Sequence, residues 1–412
     1  MSHVEILLGP PGTGKTHALI DTVADAAANG ISPESIGYIS FTRGAANVAR
    51  ERIRLRLPEL ARTRFRYFRT LHSLCFHQIG ATRAGMLGAE AMPDFINYCG
   101  LDIRKQVKWS NFGPEAAVMS GSRGRWSSKR TSDEEMLYLI GLARNQCRPL
   151  EDVYNDSGLD EPLYVLLALQ DKLLAYKRFR QIIDYTDLLE EFMARGEAPK
   201  LALLCIDEGQ DLSTLQWKVA KRLIANAEKV YIAGDDDQAI YTWAGANVKR
   251  FQQCQGDYRV LGQSYRVPRS VHQIAERVSA RMQSRLPKPY QPREGDSGSV
   301  SFCDPYDLDY SQGQWLILAR TGNPLIGLSQ HLQIMYGTKW RTQLNVRLST
   351  IHGVKGDEAD NVVLITDLTQ RVYDARNTDD ELRVLYVALT RSRRNLFLSV
   401  PRTERSYDVT AS

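Results

Sequence analysis

The chain has 412 residues, of which 43% are hydrophobic and 25% are charged, and its net charge is +5. Length and composition predict a soluble globular protein of two or three domains, and the lack of any run of 18 apolar residues excludes a membrane span. The N-terminus enters a predicted strand almost at once, which argues against a signal or transit peptide. Six scattered cysteines without a C-x-x-C pair argue against zinc and a disulfide framework, and indicate a reducing cytosol.

The first motif lies between a predicted strand at 4–8 and a predicted helix with Leu19, Val23 and Ala26 on one face. It matches G-x-x-x-x-G-K-[ST], in which backbone N–H groups turn toward phosphate oxygens and the helix N-terminus adds positive potential. In this loop we expect the lysine to reach β- and γ-phosphates and the last hydroxyl to bind Mg²⁺. The loop consists of Gly9, Pro10, Pro11, Gly12, Thr13, Gly14, Lys15 and Thr16.

A second predicted strand, at 36–41, leads into a predicted helix, and a β segment at 62–69 follows. Pro58 is expected to end that helix. Strands that alternate with helices indicate a parallel α/β sheet with its site at the C-terminal ends of the strands. The predicted apolar face of this helix consists of Ala45, Ala49, Ile53 and Leu57.

Eight arginines and two glutamates lie between residues 49 and 69, so this segment carries a charge of +6. A charge run of this kind is usually a solvated face, but it is also the pattern of a surface that binds phosphates. Charge alone leaves both interpretations open. The arginines are Arg50, Arg52, Arg54, Arg56, Arg62, Arg64, Arg66 and Arg69.

Residues 79–180 interrupt the alternation and are predicted to form a mainly helical insertion. The Gly/Ser/Arg-rich stretch 120–130 is typical of a mobile loop, and its Trp126 either stacks on a base or is an ordinary surface side chain. A helix after this loop is predicted to be capped by Ser132, with Glu135 three residues later.

The parallel sheet is predicted to resume with a buried strand at 203–206 that ends in Asp207 and Glu208. In this arrangement one carboxylate holds Mg²⁺ while the next orients or deprotonates the attacking water. The next strand, at 229–233, ends in three consecutive aspartates at 235–237 followed by Gln238. Three adjacent carboxylates repel one another unless they serve a turn, a cation or a neighbouring base.

The order of these motifs resembles the UvrD/Rep/PcrA group of superfamily 1 DNA helicases, and the likeness continues to Arg391. Residues 261–266 are similar to motif IV of that group, 348–358 to motif V and 385–391 to motif VI. The resemblance implies an α/β fold with two RecA-like, parallel-sheet cores of the P-loop NTPase type and a mainly helical insertion in the first. The implied borders are 1–78 and 181–260 for the first core, 79–180 for the insertion and 261–412 for the second core.

The resemblance also implies two sets of site residues. For ATP and Mg²⁺, Thr16 and Asp207 would hold the metal and Glu208 would act on the water. Gln238, Arg266 and Arg391 would contact the γ-phosphate, since arginine stabilises charge on transferring phosphoryl oxygens. Further nucleotide contacts implied are His17, Tyr265 on adenine and Glu358 on the ribose. Single-stranded DNA contacts implied are Phe41, Thr42, Arg43, Thr70, His72, Tyr241, Trp243, Thr350 and His352.

Each assignment has a plainer alternative. Arg266 and Arg391 are alternatively surface ion pairs, Trp243 a core residue, and His72 and His352 structural hydrogen-bonding residues. Two departures of the chain from the family bear on its expected function. Only eight residues precede Gly9, which leaves no room for the glutamine segment that reads adenine, so looser nucleotide choice is expected. Only 27 residues (322–348) lie where larger members insert a regulatory domain, which implies a minimal motor.

The resemblance therefore implies an ATP-dependent helicase or translocase that moves 3′→5′ on single-stranded DNA in replication, repair or recombination. The expected partners are single strands and single/double-strand junctions, with replication or recombination proteins as further candidates. A monomer in the cytoplasm of a bacterium or a phage-infected host is expected. Two alternatives stay open, namely a translocase with little unwinding and an ATP-gated single-strand-binding module.

Overall fold

The computed structural model describes residues 3–57, 65–88, 91–103 and 131–409. Outside these residues lie Pro58, Arg62, Arg64 and the stretch 120–130 with Trp126. In the described part of the chain, two sheets are present, and every strand pair within them is parallel. The α/β class with two parallel-sheet cores, predicted from alternation and resemblance, is thereby confirmed.

The first sheet has six strands in the order β3-β2-β4-β5-β1-β6. Strand β4 is apolar throughout and almost wholly buried, because helices cover both faces of a parallel sheet, whereas β1 and β5 are buried mainly in their C-terminal halves. The strands are β1 (His3–Leu8), β2 (Ile36–Ile39), β3 (Tyr67–Arg69), β4 (Leu201–Ile206), β5 (Ala227–Gly234) and β6 (Asp257–Val260).

The second sheet has five strands in the order β7-β11-β10-β8-β9. The strands are β7 (Ser299–Cys303), β8 (Trp315–Ala319), β9 (Val346–Thr350), β10 (Ala359–Ile365) and β11 (Ser392–Ser399). Because all strands of a sheet are parallel, their C-terminal ends share one edge, which brings together the segments that follow them.

Helices pack on both sheets and form the insertion. In chain order they are α1 (Lys15–Ala28), α2 (Arg43–Arg56), α3 (Leu71–Gln78), α4 (Met92–Cys99), α5 (Ser132–Gln146), α6 (Leu150–Ser157), α7 (Leu163–Arg180), α8 (Tyr185–Arg195), α9 (Thr214–Ala225), α10 (Val248–Gln252), α11 (Arg269–Ala280), α12 (Asn323–Tyr336), α13 (Trp340–Gln343), α14 (Gln370–Ala375) and α15 (Asp379–Leu389). Among the described residues, no helix combines the length and the apolar character that crossing a bilayer requires.

The described part of the segment 79–180 is mainly helical, and α4 to α7 share an apolar cluster of their own. The predicted cap of α5 is wrong by one residue. Thr131, not Ser132, is the N-cap, and it forms a reciprocal capping box with Glu134. Thr131 is fixed in this position because its hydroxyl also donates to the Asp102 carbonyl oxygen at 2.9 Å.

The predicted apolar face of α2 is correct at Ala49 and Ile53, which are fully buried, but Ala46 rather than Ala45 lies in the core. The proposed domain borders coincide with the ends of α3, α7 and β6. The borders themselves remain a proposal, since Ile79 and Met86 pack against the apolar cluster of the first sheet.

Candidate nucleotide and nucleic-acid site

The phosphate loop lies between β1 and α1, as predicted. Gly12 and Gly14 adopt left-handed conformations, with φ of 74° and 84°. A Cβ atom on Gly12 would come within 2.5 Å of the Arg266 Cβ atom, so both backbone conformation and space require glycine there. The Lys15 Nζ atom donates to the Gly9 carbonyl oxygen at 2.5 Å.

Thr16 and Asp207 lie side by side below the loop. The Thr16 hydroxyl donates to Asp207 Oδ2 at 2.8 Å, and the Tyr38 hydroxyl donates to the same oxygen at 2.8 Å. Burial, reinforced by the neighbouring carboxylate of Glu208, raises the pKa of Asp207 to about 6. A hydroxyl and a carboxylate at this spacing form an oxygen donor set that fits Mg²⁺.

Glu208 follows Asp207 in a left-handed backbone conformation, with φ of 57°. Its Oε2 atom accepts a hydrogen bond from Gln210 Nε2 at 2.5 Å. Burial would raise the pKa of Glu208, but Lys15, Lys355 and the Gln210 hydrogen bond outweigh burial and hold the pKa below its ordinary value. Glu208 is therefore an ionised carboxylate near the phosphate loop, as a general base must be.

Gln238 connects the two sheets. Its Nε2 atom donates to Asp235 Oδ2 at 2.7 Å, and its Oε1 atom accepts from Arg391 Nη2 at 3.1 Å. Arg391 is 1% exposed, and burial together with Arg266 lowers its pKa to about 9. Arg391 is thus a buried residue, not a surface ion pair.

Arg266 faces the phosphate loop from the second core. Its Nε atom lies 3.0 Å from Glu358 Oε2, but the geometry does not make a hydrogen bond. Within the described part of the chain, the buried Nε and Nη1 atoms of Arg266 have no hydrogen-bond partner. Unsatisfied guanidinium donors beside Gly12 fit an anionic group such as a nucleotide phosphate.

The other expected nucleotide contacts lie near the phosphate loop or near Arg266. Tyr265 donates its backbone N–H to the Gly12 carbonyl oxygen at 2.8 Å, and 73% of the residue is exposed. The His17 side chain is 65% exposed and its Nε2 atom lies 3.5 Å from Asp21. Glu358 contacts both Arg266 and Arg393. Tyr265 and His17 therefore leave aromatic rings open to solvent next to the loop.

Four of the expected DNA contacts form one aromatic cluster. Phe41 and Tyr241 stack with ring centroids 5.3 Å apart, and Trp243 lies 6.4 Å from Tyr241 and 6.0 Å from His352. Tyr241 is only 8% exposed and belongs to the apolar core of the second sheet, whereas Phe41 and Trp243 are partly buried. Burial, together with Arg320, lowers the pKa of His352 to about 3, so its imidazole is neutral.

The remaining expected DNA contacts follow strand ends without joining this cluster. Thr42 and Thr70 are N-caps, since their hydroxyl oxygens accept from Ala45 N and Ser73 N. His72 is buried, its ring packs edge-on against Tyr185, and Arg43 and Thr350 are not buried. The two threonines thus have a structural role besides any role in binding phosphates.

The arginines of the segment 49–69 differ in their contacts, since some have a partner and others are exposed. Arg54 pairs with Glu51 at 2.8 Å and Arg56 with Asp21 at 2.5 Å, while Arg50 donates to the Phe68 carbonyl oxygen. Arg52 is exposed on α2. Part of the segment is therefore a paired, solvated face, and part remains available to an anionic ligand.

Sequence reasoning missed several polar residues that complete the site. Gln210 links Glu208 to the Asp235 backbone, and Lys355 donates to Asp211 at 2.6 Å and to the Gln238 carbonyl oxygen at 2.6 Å. Gln210 and Asp211 closely follow Asp207 and Glu208 in the sequence, so their position was a usable signal. No local pattern marks Lys288, which contacts all three aspartates at 235–237.

Comparisons with known families match two regions of the chain. The family model described as the UvrD/REP helicase N-terminal domain matches residues 2–259. The model described as the UvrD-like helicase C-terminal domain matches residues 345–399. Together these regions contain both sheets except β7 and β8.

Three relatives illustrate the range of similarity. The chain is 28% identical to the DNA helicase II of Haemophilus influenzae over 69% of its own length and 39% of the relative. It is 25% identical to the ATP-dependent DNA helicase PcrA of Bacillus subtilis over 76% of its own length and 42% of the relative. It is 23% identical to a probable DNA helicase of Mycoplasma pneumoniae over 96% of its own length and 80% of the relative. The matches to DNA helicase II and to PcrA thus each cover about two fifths of the relative's length.

Proposed function

The chain belongs to the UvrD/REP helicase family, and on this premise we propose that it is an ATP-driven motor on single-stranded DNA. We propose that it moves 3′→5′ and separates a duplex ahead of it, in replication, repair or recombination. Relatives that carry the name DNA helicase support the reaction class. We also propose that the protein acts as a monomer, in the cytoplasm, on single strands and on single/double-strand junctions.

One observation supports the proposal, namely that residues expected to contact the nucleotide come from both sheets and lie next to one another. Arg391 of the second core contacts Gln238 of the first, and Arg266 lies against Gly12. A nucleotide in the phosphate loop would therefore be enclosed by residues of both sheets. Such a site can couple hydrolysis to a change in how the cores contact each other.

In the proposed reaction, the loop N–H groups and Lys15 bind the β- and γ-phosphates. Thr16 and Asp207 would hold Mg²⁺, which neutralises charge on the phosphate oxygens when it is bound. Glu208 orients and deprotonates the attacking water, and Arg266 and Arg391 stabilise the charge that develops on the γ-phosphoryl group.

We propose that single-stranded DNA binds along the C-terminal edges of both sheets. Phe41 and Trp243 can stack on bases of any identity, whereas the buried Tyr241 supports them from below. Because His352 follows β9 and Trp243 follows β5, the aromatic cluster contains side chains from both cores. Alternating contacts of the two cores with the strand would then move the protein along it.

The test combines hydrolysis with strand separation. We expect single-stranded DNA to stimulate ATP hydrolysis, and a duplex with a 3′ single-stranded tail to be unwound faster than one with a 5′ tail. Stimulated hydrolysis without unwinding, but with displacement of streptavidin from a biotinylated strand, would favour the translocase alternative. Nucleotide-dependent strand binding without turnover would favour the ATP-gated binding module.

A further inference from the structure

Three adjacent aspartates lie in a fully buried turn after β5. Asp235, Asp236 and Asp237 are each 0% exposed, and their carboxylate oxygens lie within 4.8 Å of one another. Buried carboxylates this close cannot all remain ionised without cations nearby. The turn therefore needs a source of positive charge.

Lys288 supplies that charge from the second core. Its side chain is fully buried, and its Nζ atom lies 3.2 Å from Asp235 Oδ1 and 3.0 Å from Asp237 Oδ2, while it also donates to Asp236. Arg285 pairs with Asp237 at 2.6 Å. The ammonium group thus occupies the point at which a metal ion would be coordinated by these carboxylates.

The turn fixes the orientation of Gln238. Asp235 Oδ2 accepts the hydrogen bond from Gln238 Nε2, so the other end of the amide, Oε1, faces Arg391. An ionised carboxylate only accepts hydrogen bonds, whereas a protonated one also donates. The charge state of Asp235 therefore decides which end of the Gln238 amide it binds.

We propose that Lys288 is a positioning residue for the ATP hydrolysis proposed above, acting through Asp235 to hold the Gln238 amide toward Arg391. This inference rests on the proposed function. Lys288 lies in the proposed second core and Gln238 in the first, so the orientation of the amide depends on contact between the cores.

The surroundings of Asp235 agree with this role. Burial would raise the pKa of Asp235, but Lys288, Lys15 and the hydrogen bond from Gln238 outweigh burial and hold the pKa below its ordinary value. Without Lys288, burial and the two neighbouring carboxylates would raise the pKa. In the described part of the chain, further titratable groups that interact with Asp235 include Asp236, Asp237, Arg285, Tyr290 and Tyr386.

The principal test is Lys288→Met, assayed as DNA-stimulated ATP hydrolysis. Misplacement of a γ-phosphate contact should lower kcat about 10- to 100-fold at neutral pH, with KM for ATP within about threefold of wild type. The ratio of variant kcat to wild-type kcat should rise with pH between about 6 and 9, as Asp235 loses its proton in the variant. A kcat and pH profile equal to those of wild type would overturn the proposal.

Two further variants separate positioning from general stability. Arg285→Met removes a cation that pairs directly with Asp237 and interacts with Asp235 only through its longer-range charge, and should keep kcat within about threefold of wild type. Lys288→Met combined with Asp236→Asn removes one negative charge with the positive one, and should recover most of the lost kcat. An equal loss in Arg285→Met, or no recovery in the double variant, would overturn the proposal. If the wild-type protein hydrolyses no ATP, the proposed function itself fails, which is distinct from a null result with Lys288→Met.

Discussion

At the scale of single residues, Lys15 is the cation expected to bind the phosphates, and among the described residues its side chain donates to the Gly9 carbonyl oxygen. Lys15→Ala removes that cation without touching the expected DNA contacts. We therefore predict that hydrolysis falls at least about 100-fold while the Kd for single-stranded DNA stays within about threefold. Steady-state hydrolysis and fluorescence anisotropy measure the two quantities. Lys218→Ala, an exposed lysine on α9, is the control, and near-normal hydrolysis in Lys15→Ala would refute the assignment.

Glu208 offers a second test at the same scale. Glu208→Gln keeps the side-chain shape and should still bind ATP, but kcat should fall about 100- to 10,000-fold because the general base is lost. Since the pKa of Glu208 lies below its ordinary value, wild-type kcat should show no acid-side loss from this group above about pH 6. Turnover and nucleotide binding of both proteins between about pH 6 and 9 check this. Near wild-type turnover would mean that Glu208 is not the base.

At the scale of helices and strands, an ion network joins the insertion to the first core. Lys177 on α7 contacts Asp184 and Asp187 at the N-terminus of α8, each at 2.7 Å, and Arg144 on α5 contacts the same two carboxylates. The side chains of Lys177 and both aspartates are 15% exposed or less. The network therefore holds three helices together by buried charges.

Removing one member of this network should lower the free energy of unfolding more than a substitution at the surface does. Lys177→Met leaves two buried carboxylates with Arg144 alone, and should lower the free energy of unfolding by about 3 kcal/mol. The exposed Lys172 on the same helix is the matched control. Lys172→Met should change the free energy of unfolding by about 0.5 kcal/mol or less. Urea unfolding followed by circular dichroism compares the variants, and equal midpoints would show that the network adds no stability.

The sequence correctly predicted the elements that depend on a local pattern of residues. The strand ending in Asp207 and the loop around Lys15 follow from apolar runs and glycine spacing, because neighbouring residues alone determine them. The α5 cap was misplaced by one residue because both Thr131 and Ser132 can cap, and the choice depends on distant Asp102. Lys288 was missed because its partners lie about fifty residues earlier, where no periodicity connects them.

At the scale of the whole molecule, binding of single-stranded DNA should weaken steeply with salt, because phosphate contacts release counterions. Replacing both Arg52 and Arg66 by alanine should reduce the slope of log Kd against log salt by about 1.4, if each neutralises one phosphate. Arg54→Ala, whose guanidinium already pairs with Glu51, should leave the slope unchanged. Binding titrations between about 50 and 200 mM salt measure the slope. An unchanged slope in the double variant would identify the segment as a solvated face.

Among the described residues, three hydrogen bonds also join the phosphate loop to the second core. Tyr265 N–H donates to the Gly12 carbonyl oxygen at 2.8 Å, and the hydroxyls of Ser264 and Tyr290 donate to the Pro11 carbonyl oxygen at 2.9 and 3.0 Å. If these bonds persist while the cores rotate, the axis of rotation passes beside the loop. Atoms near an axis move little and atoms far from it move farther, so small shifts at the phosphates would become larger displacements at the aromatic cluster. The loop would then act as a fulcrum, and the distance from it to the DNA edge would set the length of the stroke.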